Sequence, residues 1–148
     1  MAVDFTTISA YQAPEESPGF LLWRVSTLWR RAIEAVLKPL GLTHPQFVIL
    51  ATIGWLTRNG EKATQIAISR QAGLDPNTTS QVLRGLQAKK LIERSEEGRD
   101  KYPLLTQSGM TSLQKALPTV EQADKKFFAQ INSMTLTKHL QELNFSLR

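Results

Sequence analysis

The chain has 148 residues, 41% of them hydrophobic, with a formal net charge of +5 and no cysteine. That length supports one domain with a real core, or a small domain plus an oligomerisation element, and the composition excludes an intrinsically disordered chain. A disulfide framework, a thiolate metal site and a thiol redox switch are excluded, and with no membrane-length apolar run and no secretory signal pattern the expectation is a soluble cytoplasmic protein.

The positive charge is compatible with nucleic acid but spread thinly: +1 over residues 1–60, +2 over 61–105 and +2 over 106–148. A basic patch must therefore be assembled by folding. Residues 1–17 mix Pro14, Glu15 and Glu16 with apolar Val3, Phe5, Ile8 and Tyr11 and show little periodicity. They read as an N-terminal arm that either frays or docks on a partner surface. A strong helix follows, with Ser17 as its cap and Pro18 at its first position. Leu21, Leu22, Val25, Leu28, Trp29, Ala32, Ile33, Val36 and Leu37 form a wide apolar stripe, which Phe20 and Trp23 extend beyond one face. A helix that wide buries two sides, and in a chain this small the second side implies a partner subunit.

Pro39 and Gly41 break this helix. The next opens with Thr43 and Gln46 at capping-box spacing and Pro45 in its first turn. Phe47, Leu50, Ala51, Ile53, Gly54 and Leu56 carry its apolar face to about Thr57, and Arg58-Asn59-Gly60 is a turn. His44 reads as a surface residue at the helix start, because no second histidine lies at metal-ligand spacing. Glu61 to Ala63 could supply one β-bridge. Thr64 caps a short helix from Gln65 to Ala72, with Ile66, Ala67 and Ile68 expected to face inward, and Gly73 suits the left-handed residue beyond its end.

A second short helix follows closely, capped by Asp75 and opened by Pro76. Thr79, Val82, Leu83 and Leu86 form its apolar stripe. The opposite face carries Asn77, Thr78, Ser80, Gln81, Arg84 and Gln87, and no acid. Amides, hydroxyls and a guanidinium are groups that hydrogen-bond base edges and phosphates. An ordinary solvated helix face has similar polarity, so the flanks must decide. Two short helices joined by a tight turn, the second polar-faced, have the form of a helix-turn-helix.

Leu91 to Ser95 and Tyr102 to Leu105 have strand character around the charged, turn-forming residues 96–101, which reads as a β-hairpin or wing. Pro103 restricts its strand to an edge or a bulge. Thr106 caps a helix opening with Gln107, Ser108 and Gly109, and Met110, Leu113 and Leu117 fall on one face. Pro118 should kink or restart this helix near Leu117, since proline inside a helix costs about 3 kcal/mol. Val120, Ala123, Phe127, Phe128 and Ile131 resume the pattern. A last helix is expected from about Thr135 or Thr137 to Leu147, with Leu136, Leu140, Leu143 and Leu147 apolar and His139 on the surface. These C-terminal helices lack a third layer and should pack on the first helix and on its copy in a second subunit. There is no glycine-rich phosphate loop, no metal-ligand spacing of histidines and carboxylates, and no nucleophile elbow. No catalytic residue, cofactor or metal is assigned.

Five short motifs occur in order along the chain. Leu42-Thr43-His44-Pro45-Gln46-Phe47 has the form LTxxQF. Thr64 and Ile68 precede Gly73-Leu74-Asp75 in the helix-turn-helix. Asp75-Pro76-Asn77-Thr78-Thr79-Ser80-Gln81 opens the polar-faced helix. Leu86 leads to Lys90-Leu91-Ile92-Glu93-Arg94, and Leu105-Thr106 with Gly109 has the form LTxxG. Together with the element order, these motifs resemble the MarR family of winged-helix transcriptional regulators, over roughly Phe20 to Leu147.

The resemblance implies a mainly α fold with a small β-hairpin. A winged helix-turn-helix at 43–106 would lie between dimerisation helices at 18–42 and 107–148, after the arm at 1–17. It implies a homodimeric, sequence-specific DNA-binding regulator, expected to be a repressor relieved by a small aromatic ligand. The two polar-faced helices would enter successive major grooves of a pseudo-palindromic double-stranded operator, its half-sites roughly 10 base pairs apart. Asn77, Thr78, Ser80 and Gln81 are then base-edge or phosphate candidates. Arg84 and Lys62 are phosphate candidates, and Arg99 with Lys101 are the wing candidates. The family often carries arginine where Gln81 stands; glutamine can read adenine but brings no charge. The wing is shorter than the family's, and its Asp-x-Arg appears as Glu97-Gly98-Arg99, which makes Arg99 the match to the minor-groove arginine. Many family members respond to small aromatic or phenolic ligands in a crevice between the dimer helices and the winged part. Trp23, Trp29, Phe47 and Trp55 lie near that junction but read as core, so no ligand residue is assigned. The alternative is a winged-helix dimer acting as a protein-interaction module, which the uncharged Gln81 and the acidic Glu96 and Glu97 favour.

Overall fold

The computed structural model describes residues 1–97 and 100–146, with the backbone alone at residues 96, 97, 100 and 101. In chain order it contains α1 (Phe5–Ile8), α2 (Pro18–Leu37), α3 (His44–Leu56), α4 (Gln65–Ala72), α5 (Pro76–Ala88), β1 (Ile92–Glu97), β2 (Asp100–Leu105), α6 (Gln107–Phe127) and α7 (Ser133–Ser146). The fold is mainly helical with a two-stranded antiparallel wing. Short 3₁₀ turns at Pro14–Glu16 and Lys38–Leu40 stand before and after α2.

The centre is α3, because it is apolar on every side. It packs against α2, α4, α5, α6 and β2. Its Phe47, Ile49, Leu50 and Ile53 join Ile33 and Leu37 of α2, Ile68 of α4, Leu83 and Leu86 of α5, Ile92 of β1, and Ala116 and Val120 of α6 in one core. Burial of each larger side chain is worth about 1.5–3 kcal/mol, which fixes the neighbours around it. The one polar intruder on α3, Thr52, satisfies its hydroxyl on the Val48 carbonyl at 2.7 Å. Both halves of the expected capping box form: Thr43 Oγ1 accepts from the Gln46 N–H, and Gln46 Oε1 accepts from the Thr43 N–H, each at 3.2 Å. Gly41, at φ 72°, supplies the left-handed turn from α2 into α3.

Several expectations are corrected. Glu61 to Ala63 makes no β-bridge; among the described residues the sheet holds only β1 and β2, and Ala63 is buried instead. Ile66 is 65% exposed, and Ser69 takes the inward position on α4 beside Ile68. The strands run further than expected, pairing Ile92 with Leu105 through to Glu97 with Asp100, and Pro103 pairs with Arg94 on what is necessarily an edge. Pro118 does not restart α6, which is continuous through it. The carbonyl that Pro118 cannot satisfy belongs to exposed Gln114, where water can replace the bond, and buried Ala116 and Val120 hold the helix to the core on both sides of it. The buried face of α6 is Gly109, Ala116 and Val120, while Met110 and Leu117 point outward. The last helix begins earlier than expected because Asn132 caps it, its Oδ1 accepting from the Thr135 N–H at 3.1 Å; Leu147 lies outside the described residues.

His44 is not a surface residue. It is half-buried, its ring edge-on to Trp29 at 5.1 Å between centroids. Trp29 in turn donates its indole N–H to Asp124 Oδ1 of α6 at 2.7 Å, tying α2 to α6. Of the four junction aromatics, Phe47 is core, but Trp23 and Trp55 are 72% and 56% exposed. Phe20, Leu21, Leu22, Val25 and Leu28 of α2 are exposed too, and so are Met134, Leu140, Leu143 and Phe145 of α7, which buries no residue. Among the described residues no single helix is long and apolar enough to cross a membrane.

Candidate nucleic-acid interface

The two helices of the helix-turn-helix are locked by a buried polar pair. Ser69 Oγ of α4 donates to Thr79 Oγ1 of α5 at 2.9 Å, and Thr79 donates onward to the Asp75 carbonyl at 2.9 Å. Thr79 is fully buried, so its place in the stripe depends on that satisfaction. The turn between the helices uses Gly73 at φ 70°, with the Leu74 N–H closing on the Ser69 carbonyl.

Asp75 caps α5 through two bonds to Thr78: Oδ1 accepts its backbone N–H at 2.9 Å, and Oδ2 accepts its hydroxyl at 2.6 Å. The hydroxyl first, then the N–H, hold the Asp75 carboxyl below the usual carboxylate range. The first turn of α5 is thereby neutralised from within, and its N-terminus is not a free anion site. Thr78 keeps only its oxygen lone pairs for another partner.

The remaining predicted readers share one outward row. Asn77, Gln81 and Arg84 are exposed and Ser80 is half-buried, with spacings of three and four that stack them along the helix. None of the four makes a side-chain hydrogen bond to the described residues. The row therefore presents two amides, a hydroxyl and a guanidinium aligned along one helix face, an arrangement suited to base edges. Lys62 is elsewhere: its ammonium stands 5.2 Å from the Tyr102 ring centroid, at the base of the wing. Arg99 lies outside the described residues, and so does the side chain of Lys101.

At the far end of α5 the chain turns by a left-handed residue that is not glycine. Lys90 has φ 61°, and the Leu91 and Lys90 N–H groups return to the Leu86 and Gln87 carbonyls. Lys89, the last helical cap, reaches back to the start of α3, donating to the Gly41 carbonyl at 2.6 Å and to Gln46 Oε1 at 2.7 Å.

A crevice of about 660 Å3 opens between α3, the wing and α6. Gly54, Leu104, Leu105, Met110 and Leu113 line its apolar part, and Arg58, Glu61, Lys62, Glu93 and Tyr102 its polar part. Arg58 is held over the Trp55 ring at 3.6 Å and donates to the Trp55 carbonyl at 2.6 Å. The sequence assigned none of these residues to a ligand, because they come from separate elements, with no spacing to betray them.

A family model described as MarR family matches residues 40–101. The uncharacterized HTH-type transcriptional regulator YdcH of Bacillus subtilis is 37% identical over 124 residues, covering 82% of this chain and 84% of the relative. The HTH-type transcriptional repressor Rv2887 of Mycobacterium tuberculosis is 30% identical over 118 residues, covering 78% of this chain and 82% of the relative. The crystal structure of Rv2887 in complex with DNA has a TM-score of 0.68 at 27% identity, covering 86% of this chain and 97% of that one. Its complex with salicylic acid has a TM-score of 0.64 at 28% identity, covering 86% and 94%.

Proposed function

The chain belongs to the MarR family of HTH-type transcriptional regulators, and from that premise we propose that it is a homodimeric, cytoplasmic repressor that reads a pseudo-palindromic operator and is released from it by a small aromatic ligand. The family's members are regulators, not enzymes. The observation that carries the DNA reading is the acid-free row Asn77, Ser80, Gln81 and Arg84, without side-chain hydrogen bonds to the described residues, on the second helix of a locked helix-turn-helix. Asn77, Ser80 and Gln81 are assigned to base edges, Thr78 as an acceptor beside them, and Arg84 to phosphate. Arg99 and Lys101 of the wing are assigned to the neighbouring minor groove and backbone, with Lys62 a phosphate contact at the wing base.

Dimerisation through α2, α6 and α7 is supported by their exposed apolar side chains, which form the kind of surface monomers rarely leave in water. The crevice between α3, the wing and α6 is the assigned ligand site, with Arg58 at its rim as a counter-charge for an aromatic acid. Rv2887 has been crystallised with DNA and, separately, with salicylic acid. A ligand there lowers DNA affinity only by favouring a separation of the two reading helices that does not fit successive grooves.

The test is a fluorescence-anisotropy titration of the full chain with the promoter next to its own gene, at two salt concentrations, with and without salicylate. Specific binding that weakens with salt and with salicylate is expected. Arg99→Ala should flatten the salt dependence by about one unit, as loss of one phosphate contact does. Absence of any specific shift at low salt would favour the protein-interaction reading, which the uncharged Gln81 supports.

A further inference from the structure

We infer that Lys89 is a positioning residue for DNA reading: it pins the C-terminal end of the recognition helix to the joint where the dimer stem turns into α3, and so sets the half-site spacing that the dimer accepts. This rests on the DNA-reading proposal above. Lys89 Nζ donates to the Gly41 carbonyl at 2.6 Å and to Gln46 Oε1 at 2.7 Å, across 48 and 43 residues of chain. Gly41 is the left-handed residue that ends the turn after α2. Gln46 is the reciprocal member of the α3 capping box, and its amide oxygen takes Lys89 and the Thr43 N–H together, which uses both of its lone pairs. One turn earlier on α5, a Cβ at Gly85 would stand 3.1 Å from Gln46 Nε2, so the helix backbone already lies against this amide. Gly85 and Lys89 thus clamp α5 at one end, on the side chain that also starts α3.

The reading row is at the other end of α5. From Lys89 to Asn77 the helix spans about 18 Å at roughly 1.5 Å per residue. A tilt of about 10° at the clamp therefore moves Asn77 by about 3 Å, close to the rise of one base pair, roughly 3.4 Å. In a symmetric dimer both readers shift together, so a loosened clamp blurs the distinction between correctly spaced half-sites and those displaced by one base pair. The clamp is exposed and its bonds are individually modest, but only the angle of α5 depends on it. The core contacts of Leu83 and Leu86 keep the helix in place without it.

The experiment compares wild type, Lys89→Met and Lys89→Arg as full-length protein. Hydrogen exchange needs no DNA: amides of residues 41–47 and 85–91 should exchange about three- to tenfold faster in Lys89→Met, with Lys89→Arg near wild type and the melting temperature within a few degrees. Unchanged exchange in Lys89→Met would overturn the pin. The second readout uses the duplex that wild type enriches from a randomised pool, and the same duplex with one base pair inserted or deleted between its half-sites. Lys89→Met should lower the affinity ratio of correct to shifted spacing by about threefold or more, at an unchanged salt slope, and Lys89→Arg should restore it. A salt slope reduced by about one unit with spacing discrimination intact would make Lys89 a phosphate contact and overturn the proposal. If wild type enriches no duplex, DNA reading itself fails, and the exchange measurement alone decides the pin.

Discussion

Gln81 occupies the middle of the proposed reading row, one turn from Asn77 and close to Arg84. Its amide can donate to and accept from an adenine at once, which is worth about 1–3 kcal/mol of discrimination, but it adds nothing to attraction for the backbone. Gln81→Ala should therefore relax sequence preference more than it weakens binding to random duplex, measured by anisotropy on the operator and a scrambled control. Equal losses on both would remove Gln81 as a base reader. His44 carries a different kind of consequence. Burial against Trp29 lowers its pKa, with Glu34 pulling it up, Arg30 pushing it down and Asp124 pulling it up by smaller amounts. The folded value thus lies below the ordinary one of about 6.5. As pH falls through that value the unfolded chain takes up the proton first, so the stabilisation from neutral His44 is present above it and is lost on acidification. The melting temperature should fall between about pH 7 and pH 5 by more in wild type than in His44→Phe. Parallel pH profiles for the two would show that the half-buried ring is not held neutral.

At the scale of elements, the two short motifs that flank the winged part acquire mechanical meanings. In Leu105-Thr106 with Gly109, Thr106 Oγ1 accepts from the Gly109 N–H at 3.0 Å, which caps α6, and donates to the Lys90 carbonyl at 2.7 Å, which ties the cap to the end of α5. Gly109 is required by proximity: an added Cβ would stand 1.9 Å from the Leu91 carbonyl oxygen. Gly109→Ala gains at most about 1 kcal/mol of helix propensity and meets a backbone atom that cannot rotate away. We expect a net destabilisation of about 3 kcal/mol, the upper part of the usual overpacking range, read from chemical denaturation. A neutral outcome would mean that α6 can move away from Leu91 at no cost. In Leu42-Thr43-His44-Pro45-Gln46-Phe47, Leu42 and Phe47 are core, Thr43 and Gln46 are the capping box, and Gln46 doubles as the seat for Lys89.

For the whole molecule, the winged part closes its own core around α3, whereas the helices on either side of it do not. Only Ile33 and Leu37 of α2 are buried, both toward its C-terminal end, and α7 buries nothing. Apolar side chains left at this density need a partner, and a second copy of the same two helices is the partner expected of a symmetric dimer. Leu22→Glu with Leu28→Glu should give a folded monomer by sedimentation velocity and circular dichroism. Affinity for a two-half-site operator should fall by more than about tenfold, since the second half-site would no longer bind as an intramolecular event. A double variant that stays dimeric would place the interface elsewhere.

The sequence alone determined the order of elements from α2 onward, the helix starts at Ser17, Thr43, Thr64, Asp75 and Thr106, the left-handed turn at Gly73 and the apolar side of α5, but not the short α1 within the N-terminal arm. Caps, turns and periodicity are written in residues a few positions apart, so one chain is enough to read them. The tertiary structure decided what depends on residues far apart in the chain. It turned Ile66 and Leu117 outward, carried α6 through Pro118, buried His44 against a tryptophan that bonds 95 residues away, and left Trp23 and Trp55 in solvent. It also assembled the crevice beside Arg58 and the Lys89 clamp, neither of which leaves a local signal. The periodicity of a helix says that a face is apolar, but only the packed neighbours say which face is covered, and by what.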